Sequence, residues 1–314
     1  MTPPAPRSWT AGPLRHASRG MLFYGITPPR LTTSPERAAE IARTTLDRLA
    51  PLALDALVVY DVDAESDRSG QDRPFPFMPM MDPAVFHARH LQAWHGPSVI
   101  YRCVGKYPEQ DLASWLGSAD PDRVLTVFVG ASTRGQPVAT RLDEAYRLRA
   151  RLHPQLTVGG VLIAERHARR EDEHLRMLAK QEQGCSFFVS QVFYDLDHTR
   201  NLLSDYAYTC RDRGITPQPV VLTTSPCGSA KTLEFMTWLG IEVPRWLQNA
   251  IRHSDDPLDE SYEQCRAGAR DLITFCRRLE LPFGINVESV TIRKVEIEAS
   301  VELAREVRGL LGRS

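Results

Sequence analysis

The stretch from Thr157 to Tyr194, TVGGVLIAERHARREDEHLRMLAKQEQGCSFFVSQVFY, holds one whole folding unit. Its apolar run Val158 to Ala164 predicts a buried strand. The amphipathic tract Arg170 to Gln183, closed by Gly184, predicts a helix, and Ser186 to Gln191 predicts the next strand. Strands that are apolar on both faces and joined by a helix are parallel neighbours. The same alternation continues in both directions. Upstream, Met21 to Ile26 precedes a Ser34-Pro35-Glu36 start, with serine as N-cap and proline at the first helical position. Ala56 to Asp61, Ser98 to Arg102 and Val124 to Gly130 follow, with helices from Pro83, from Glu109 and over 138–152. Downstream come a helix over 197–213, Pro219 to Thr224, a long helical tract over 228–280, Gly284 to Ser289 and a last helix over 292–312. Eight strand–helix units in about 290 residues predict an α/β fold, a (β/α)8 TIM barrel with extra helices between strands seven and eight. An open doubly wound sheet is the alternative, but no GxGxxG follows the first strand.

A length of 314 residues alone also suits two average domains. The strand count settles on one barrel over 21–314 behind a flexible, proline-bearing lead-in over 1–20. A formal net charge of -1 argues against a surface built for nucleic acid or anionic lipid. No apolar run reaches the roughly 18 residues of a membrane helix, and the first 20 residues lack a signal-peptide core. The six cysteines show no CxxC spacing, so reduced, buried thiols in a cytoplasmic protein are expected.

In such a barrel the chemistry sits at the C-terminal ends of the strands. Those ends carry Gly25, Tyr60, Asp61, Arg102, Gly130, Ala131, Ser132, Glu165, Arg166, His167, Gln191, Tyr194, Thr223, Asn286 and Glu288. The Thr and Ser residues there are first of all helix caps, and Glu165 has arginine partners to hand. Gln191 directly follows an apolar run, so a long amide is aimed at the mouth, where a heterocycle would satisfy it. Glu288 lies in INVESV, where a carboxylate is costly unless paired or used. The connection 62–82 is long, and its second half, RPFPFMPMMD, reads equally as a lid over a flat ring or as extra core. Any anionic ligand must be met locally, by arginines such as Arg73, Arg102 or Arg166. No metal site is predicted: His167 and His174 could share a helix face, but two histidines make a poor site.

At GGVLIAERHARREDEHLRMLAKQEQGCSFFVSQVFYD, residues 159–195, the chain resembles the methylenetetrahydrofolate reductase family. Glu165 and His167 fit its Glu-x-His after strand five. Ser190-Gln191, Phe193, Tyr194 and Asp195 fit its Thr-Gln pair followed by an aromatic and Asp, and FYGITPPR fits the Pro-Pro landmark after strand one. The resemblance implies a tetrahydrofolate substrate, with Gln191 reaching the pterin and Tyr194, Asp61 and Glu165 as further substrate contacts. It implies reduction of 5,10-methylenetetrahydrofolate to 5-methyltetrahydrofolate by hydride from NADH or NADPH, with His167, Lys180, Gly130 and Ala131 at the family's cofactor positions. It also leaves a homo-oligomer open. The departures are specific. The family's strand-one Glu, two or three residues ahead of the Pro-Pro pair, is absent from Tyr24-Gly25-Ile26-Thr27. Its Arg-Gly-Asp after strand four is Val129-Gly130-Ala131, and Ala179 replaces a second basic phosphate ligand. FAD is therefore in question, and the flavin-independent branch of the family is the better likeness. Glu288, on the strand that must close against strand one, is the candidate replacement acid. Two other readings stay open: a folate- or pterin-binding barrel without chemistry, serving regulation or a partner subunit, and a reductase with another substrate.

Overall fold

Strand pairing follows chain order all the way round. In the computed structural model, which describes residues 14, 17–63, 73–131 and 138–312, eight parallel strands close into a barrel in the order β1 to β8. They are β1 (Met21–Ile26), β2 (Ala56–Val59), β3 (Ser98–Cys103), β4 (Val124–Val129), β5 (Thr157–Leu162), β6 (Cys185–Val192), β7 (Val220–Thr224) and β8 (Phe283–Glu288). The helices are α1 (Pro35–Leu49), α2 (Pro83–His90), α3 (Glu109–Ser118), α4 (Leu142–Leu152), α5 (Ala164–Arg170), α6 (Glu173–Glu182), α7 (Leu196–Asp212), α8 (Ala230–Trp238), α9 (Arg245–His253), α10 (Pro257–Leu279) and α11 (Lys294–Leu310). The expected TIM barrel is thus present, and the long tract between β7 and β8 resolves into α8, α9 and α10. None of the helices is long and apolar enough to cross a membrane.

The two-residue period of each strand sorts its side chains into two cores. Met21, Phe23, Val58, Val99, Val127, Phe187, Val189 and Val221 fill the barrel interior. Their neighbours Leu22, Leu57, Ile100, Phe128, Phe188 and Leu222 face the helix ring. This double burial is why the strands read as continuous apolar runs. All six cysteines are buried, and none is in a disulfide. The helix starts follow local chemistry: Ser34 accepts the Arg37 N–H and Pro35 opens α1, and Asp82 caps α2 by accepting from Ala84 and Val85.

Two expectations change. The helix predicted over Arg170 to Gln183 starts later, as α6 at Glu173, and an unpredicted short helix, α5, precedes it, with the break at Glu171, whose φ of 55° is left-handed. The break lets Glu173 turn inward, fully buried, where it accepts the Ile163 N–H and takes Arg166 at 2.9 Å. Burying that carboxylate is tolerable because it is paired and hydrogen-bonded. Within the expected lead-in over 1–20, two described residues are packed against the barrel. Leu14 and Ala17 are buried in the barrel's inner core, and the Ala17 carbonyl accepts from Phe283 N at 2.8 Å. A barrel open at its bottom would expose its lowest apolar layer, and these residues cover it. The rest of that segment, 1–13, 15 and 16, together with 64–72 and Ser132, lies outside the described residues.

Candidate functional site

The inward period carried upward from the core brings Gly25, Tyr60, Tyr101, Gln191, Thr223, Asn286 and Glu288 to the C-terminal mouth. Gly25 and Glu288 are direct register partners across β1 and β8. A Cβ at Gly25 would lie 2.7 Å from the Tyr60 ring and 3.1 Å from Glu288 Oε2. The glycine therefore leaves the space into which Tyr60 and the Glu288 carboxyl fold. Asn286 Nδ2 donates to the Tyr60 hydroxyl at 2.8 Å and approaches Glu288 Oε2 at 3.3 Å and Thr223 Oγ1 at 3.4 Å. Tyr60 packs edge-on against Tyr101, with ring centroids 4.8 Å apart. Burial lifts the Glu288 carboxyl to a pKa of about 7, with hydrogen bonds from Tyr60 and Asn286 pulling weakly the other way. Burial, and next the Glu288 charge, pushes both tyrosine hydroxyls well above their ordinary range, so they remain neutral donors. A carboxyl of this kind holds a proton near neutrality and can deliver it.

Gln191 lies near the end of β6. A register shift between Val189 and Val192 is filled by Ser190, whose hydroxyl accepts from Thr223 N and donates to Gln191 O. The Gln191 amide donates to Leu239 O at 2.8 Å. Glu165, only 4% exposed, accepts from Glu242 N at 3.4 Å through Oε1, and its Oε2 has no hydrogen-bond partner among the described residues. Burial raises its pKa. The short segment from Leu239 to Glu242 thus meets both of these candidate ligands. Beside it opens a cleft of about 480 Å³, lined in part by Arg169, Asp195, Glu242, Arg245 and Gln248. Asn286 Oδ1 is a second buried acceptor without a partner among the described residues.

The described half of the long connection reaches across the mouth. Arg30 and Met80 form an antiparallel bridge, and the Met81 and Leu31 N–H groups donate to Pro29 and Pro79. Phe75 meets Phe235 of α8 edge-on, and the Arg73 guanidinium lies over Phe77, Phe235 and Trp238, nearest to Trp238 at 4.8 Å. The segment ties the β1 and β2 loops to α8.

The remaining sequence candidates are placed elsewhere. Asp61 is buried and holds the β3–α3 connection, accepting from Cys103 N, Tyr107 Oη and Lys106 Nζ at 2.8, 2.8 and 2.6 Å. Tyr194 is buried with its hydroxyl on Ser225 O and near Ser261 and Cys265, against α10. Lys180 extends along the outside of β5, its Nζ donating to Val161 O, and burial lowers its pKa. His167 faces α7, with Nε2 3.1 Å from Asp205 Oδ2. Gly130 and Ala131 lie at the end of β4 and offer no side-chain ligand. Of the arginines, Arg102 is committed to Asp82 at 2.7 Å and stacks on Tyr107, and Arg166 is committed to Glu173. The Tyr60–Tyr101–Asn286 cradle is a part that sequence reasoning did not assemble. The inward alternation of their strands is the signal that places them together.

Fold and mouth define a (β/α)8 barrel with a protonatable carboxyl and, among the described residues, unfilled acceptors at the C-terminal ends of its strands. A family model for methylenetetrahydrofolate reductase matches residues 151–295. A solved structure of an uncharacterised protein from Clostridium thermocellum is 37% identical, covering 92% of this chain and 96% of that one at a TM-score of 0.83. That protein is described as binding two copies of 5-methyl-5,6,7,8-tetrahydrofolic acid. The chain belongs to the methylenetetrahydrofolate reductase family. Two remoter barrels are an oxaloacetate acetylhydrolase, 12% identical at a TM-score of 0.45 over 87% of this chain and 78% of that one, and dihydropteroate synthase of Xanthomonas albilineans, 12% identical at 0.44 over 93% of each. At that distance they carry no argument. No curated protein matches the chain.

Proposed function

We propose that the protein binds a reduced folate in the barrel mouth and reduces 5,10-methylenetetrahydrofolate to 5-methyltetrahydrofolate, with Glu288 as the proton donor. The observation that carries this reading is the pairing of Gly25 with Glu288. The stretch Tyr24-Gly25-Ile26-Thr27, where the family carries its strand-one acid, has none, and a β8 carboxyl with a pKa of about 7 lies against the space that Gly25 leaves. Acid and gap sit on adjacent strands, so a substrate bound as the family binds it would meet a proton donor from nearly the same direction.

In this reading protonated Glu288 gives its proton to N10 as the five-membered ring opens. The bridging carbon becomes an N5 iminium, and hydride from NADH or NADPH reduces it to the methyl group. The resulting carboxylate is reprotonated from solvent. One nicotinamide is oxidised and one proton is consumed per methyl formed. Tyr60 and Asn286 orient the acid. Glu165 Oε2 and Asn286 Oδ1 supply acceptors for the amino and ring N–H donors of a pterin, and Gln191 adds an amide once it exchanges Leu239 for ligand. Arg169 and Arg245 in the adjoining cleft match the carboxylates of a folate tail. Orientation in a site of this kind can contribute several kcal/mol.

The residues at the family's flavin positions do not fit FAD: Lys180 is held on a backbone carbonyl, His167 on Asp205, and Gly130-Ala131 supplies no carboxylate. The proposal therefore transfers hydride directly from nicotinamide. The test is to follow NADH or NADPH absorbance with methylenetetrahydrofolate, using protein without a flavin spectrum. Turnover supports the reading, and tight folate binding with no turnover refutes it. The second reading, a folate-binding barrel without chemistry, is favoured by the engagement of Gln191 and Glu165 with the Leu239–Glu242 segment.

A further inference from the structure

The histidine pair that the sequence leaves without a third ligand acquires one from a distant helix. His167 lies on α5, His174 in the first turn of α6 and Asp205 near the middle of α7. One ligand atom from each falls within 4.8 Å of the other two. His167 Nε2 and Asp205 Oδ2 are already 3.1 Å apart. That separation suits two atoms sharing one ion, since metal–ligand bonds of about 2.0–2.2 Å at tetrahedral angles put ligands roughly 3.4 Å apart. The two imidazoles meet edge-to-face, with centroids 5.4 Å apart and planes at 85°.

The second observation is an unsatisfied demand. His167 is 2% exposed, and the Nδ1 atoms of both His167 and His174 are buried without a hydrogen-bond partner among the described residues. A buried ring nitrogen with no partner is costly. His167 already turns Nε2 to Asp205, and one ion takes only one nitrogen of a ring, so the demand an ion here would answer is that of the His174 ring, whose Nδ1 has no partner among the described residues. Burial, as the largest effect, lowers the pKa of His174, which favours the neutral imidazole that metals require. Asp172 and Arg213 also face this histidine, with opposite charges. His174 and Asp205 are partly exposed, so an ion has a path in and these side chains have room to close on it.

We propose that His167, His174 and Asp205 form a binding site for a divalent transition-metal ion of the zinc class, with water completing the coordination. The ligand set of two imidazoles and one carboxylate matches that class, and hard ions such as magnesium prefer oxygen-only sites. The site lies on the outer helix ring and is independent of the folate reading. Its role is to clamp α5, which carries Glu165, and α6 onto α7.

The test uses untagged, full-length protein stripped with a chelator and titrated with Zn²⁺ by calorimetry, then with Co²⁺ to read its visible ligand-field bands. The expected result is one saturable equivalent per chain, Co²⁺ bands of tetrahedral intensity and a higher Tm with metal. H174A and D205N alter partly exposed side chains. Each should weaken binding at least tenfold and abolish the metal-dependent rise in Tm, with circular dichroism unchanged. No saturable binding by the parent protein overturns the proposal, and so does binding that both variants retain at parental affinity.

Discussion

Replacing Glu288 by glutamine tests the protonation state of the mouth without relying on substrate. The parent carboxyl titrates at about 7 instead of the ordinary 4.5 because it is buried. That difference corresponds to roughly 3 kcal/mol of preference for the neutral form. The sign follows from proton counts. Between pH 4.5 and 7 the native state keeps a proton that the unfolded chain has released, so stability falls as pH rises through that window. From pH 5 to pH 8 this single group should remove roughly 2.5 kcal/mol from the unfolding free energy. Glutamine preserves the shape and hydrogen-bonding of the neutral acid but does not titrate. Guanidinium unfolding at pH 5 and pH 8 should therefore show E288Q losing less stability than the parent by about that amount. In the NAD(P)H assay the variant should lose about 10²–10⁴-fold in turnover, with folate affinity changed much less. Parallel stability losses in the two proteins would refute the buried, protonated carboxyl. Full turnover by E288Q would refute its role as acid.

Y60F removes a hydrogen bond that favours the Glu288 anion. The alkaline limb of the pH–rate profile should move to higher pH, and an unmoved or lowered limb would contradict the Tyr60 contact. G25A places a methyl 2.7 Å from the Tyr60 ring, so a loss of about 1–3 kcal/mol in denaturant unfolding is expected; a neutral substitution would mean that the cradle is slack. R73A removes the cation held over Phe77, Phe235 and Trp238. It should raise the KM for folate severalfold with little change in kcat, and an unchanged KM would assign the segment to packing alone. D61A takes the acceptor from the Cys103 N–H and the carboxylate from Lys106 and Tyr107, leaving Lys106 only the Val62 carbonyl among the described residues, and should cost about 3 kcal/mol by thermal or denaturant unfolding; a cost under about 1 kcal/mol would show that the network is dispensable.

The barrel was legible because both strand faces are buried, so each strand announced itself as an apolar run between helical periods. Glu288 and Gln191 stood out for a related reason: polar side chains continuing an apolar strand need an account. What could not be read was tertiary. Tyr194 and Asp61 sit at strand ends in the sequence, yet one hydroxyl turns to Ser225 and the other carboxylate gathers three donors from the β3–α3 connection. Lys180 and His167 lie on helix faces that a linear pattern cannot orient. Asp205 is remote in sequence from both histidines, so spacing gave no sign of a third ligand. The partial burial of the lead-in was hidden because proline-rich composition describes the segment, while Leu14 and Ala17 individually cover the barrel floor.

The most direct measurement is a single-turnover reaction of flavin-free protein with methylenetetrahydrofolate and nicotinamide deuterated at the transferable position, run with NADH and with NADPH. Mass spectrometry of the folate product reads the outcome. Direct hydride transfer predicts one deuterium in the methyl group of 5-methyltetrahydrofolate with one of the two nucleotides, and a yield that collapses in E288Q. Bound folate recovered unreduced with both nucleotides would contradict the account and leave a binding protein in its place.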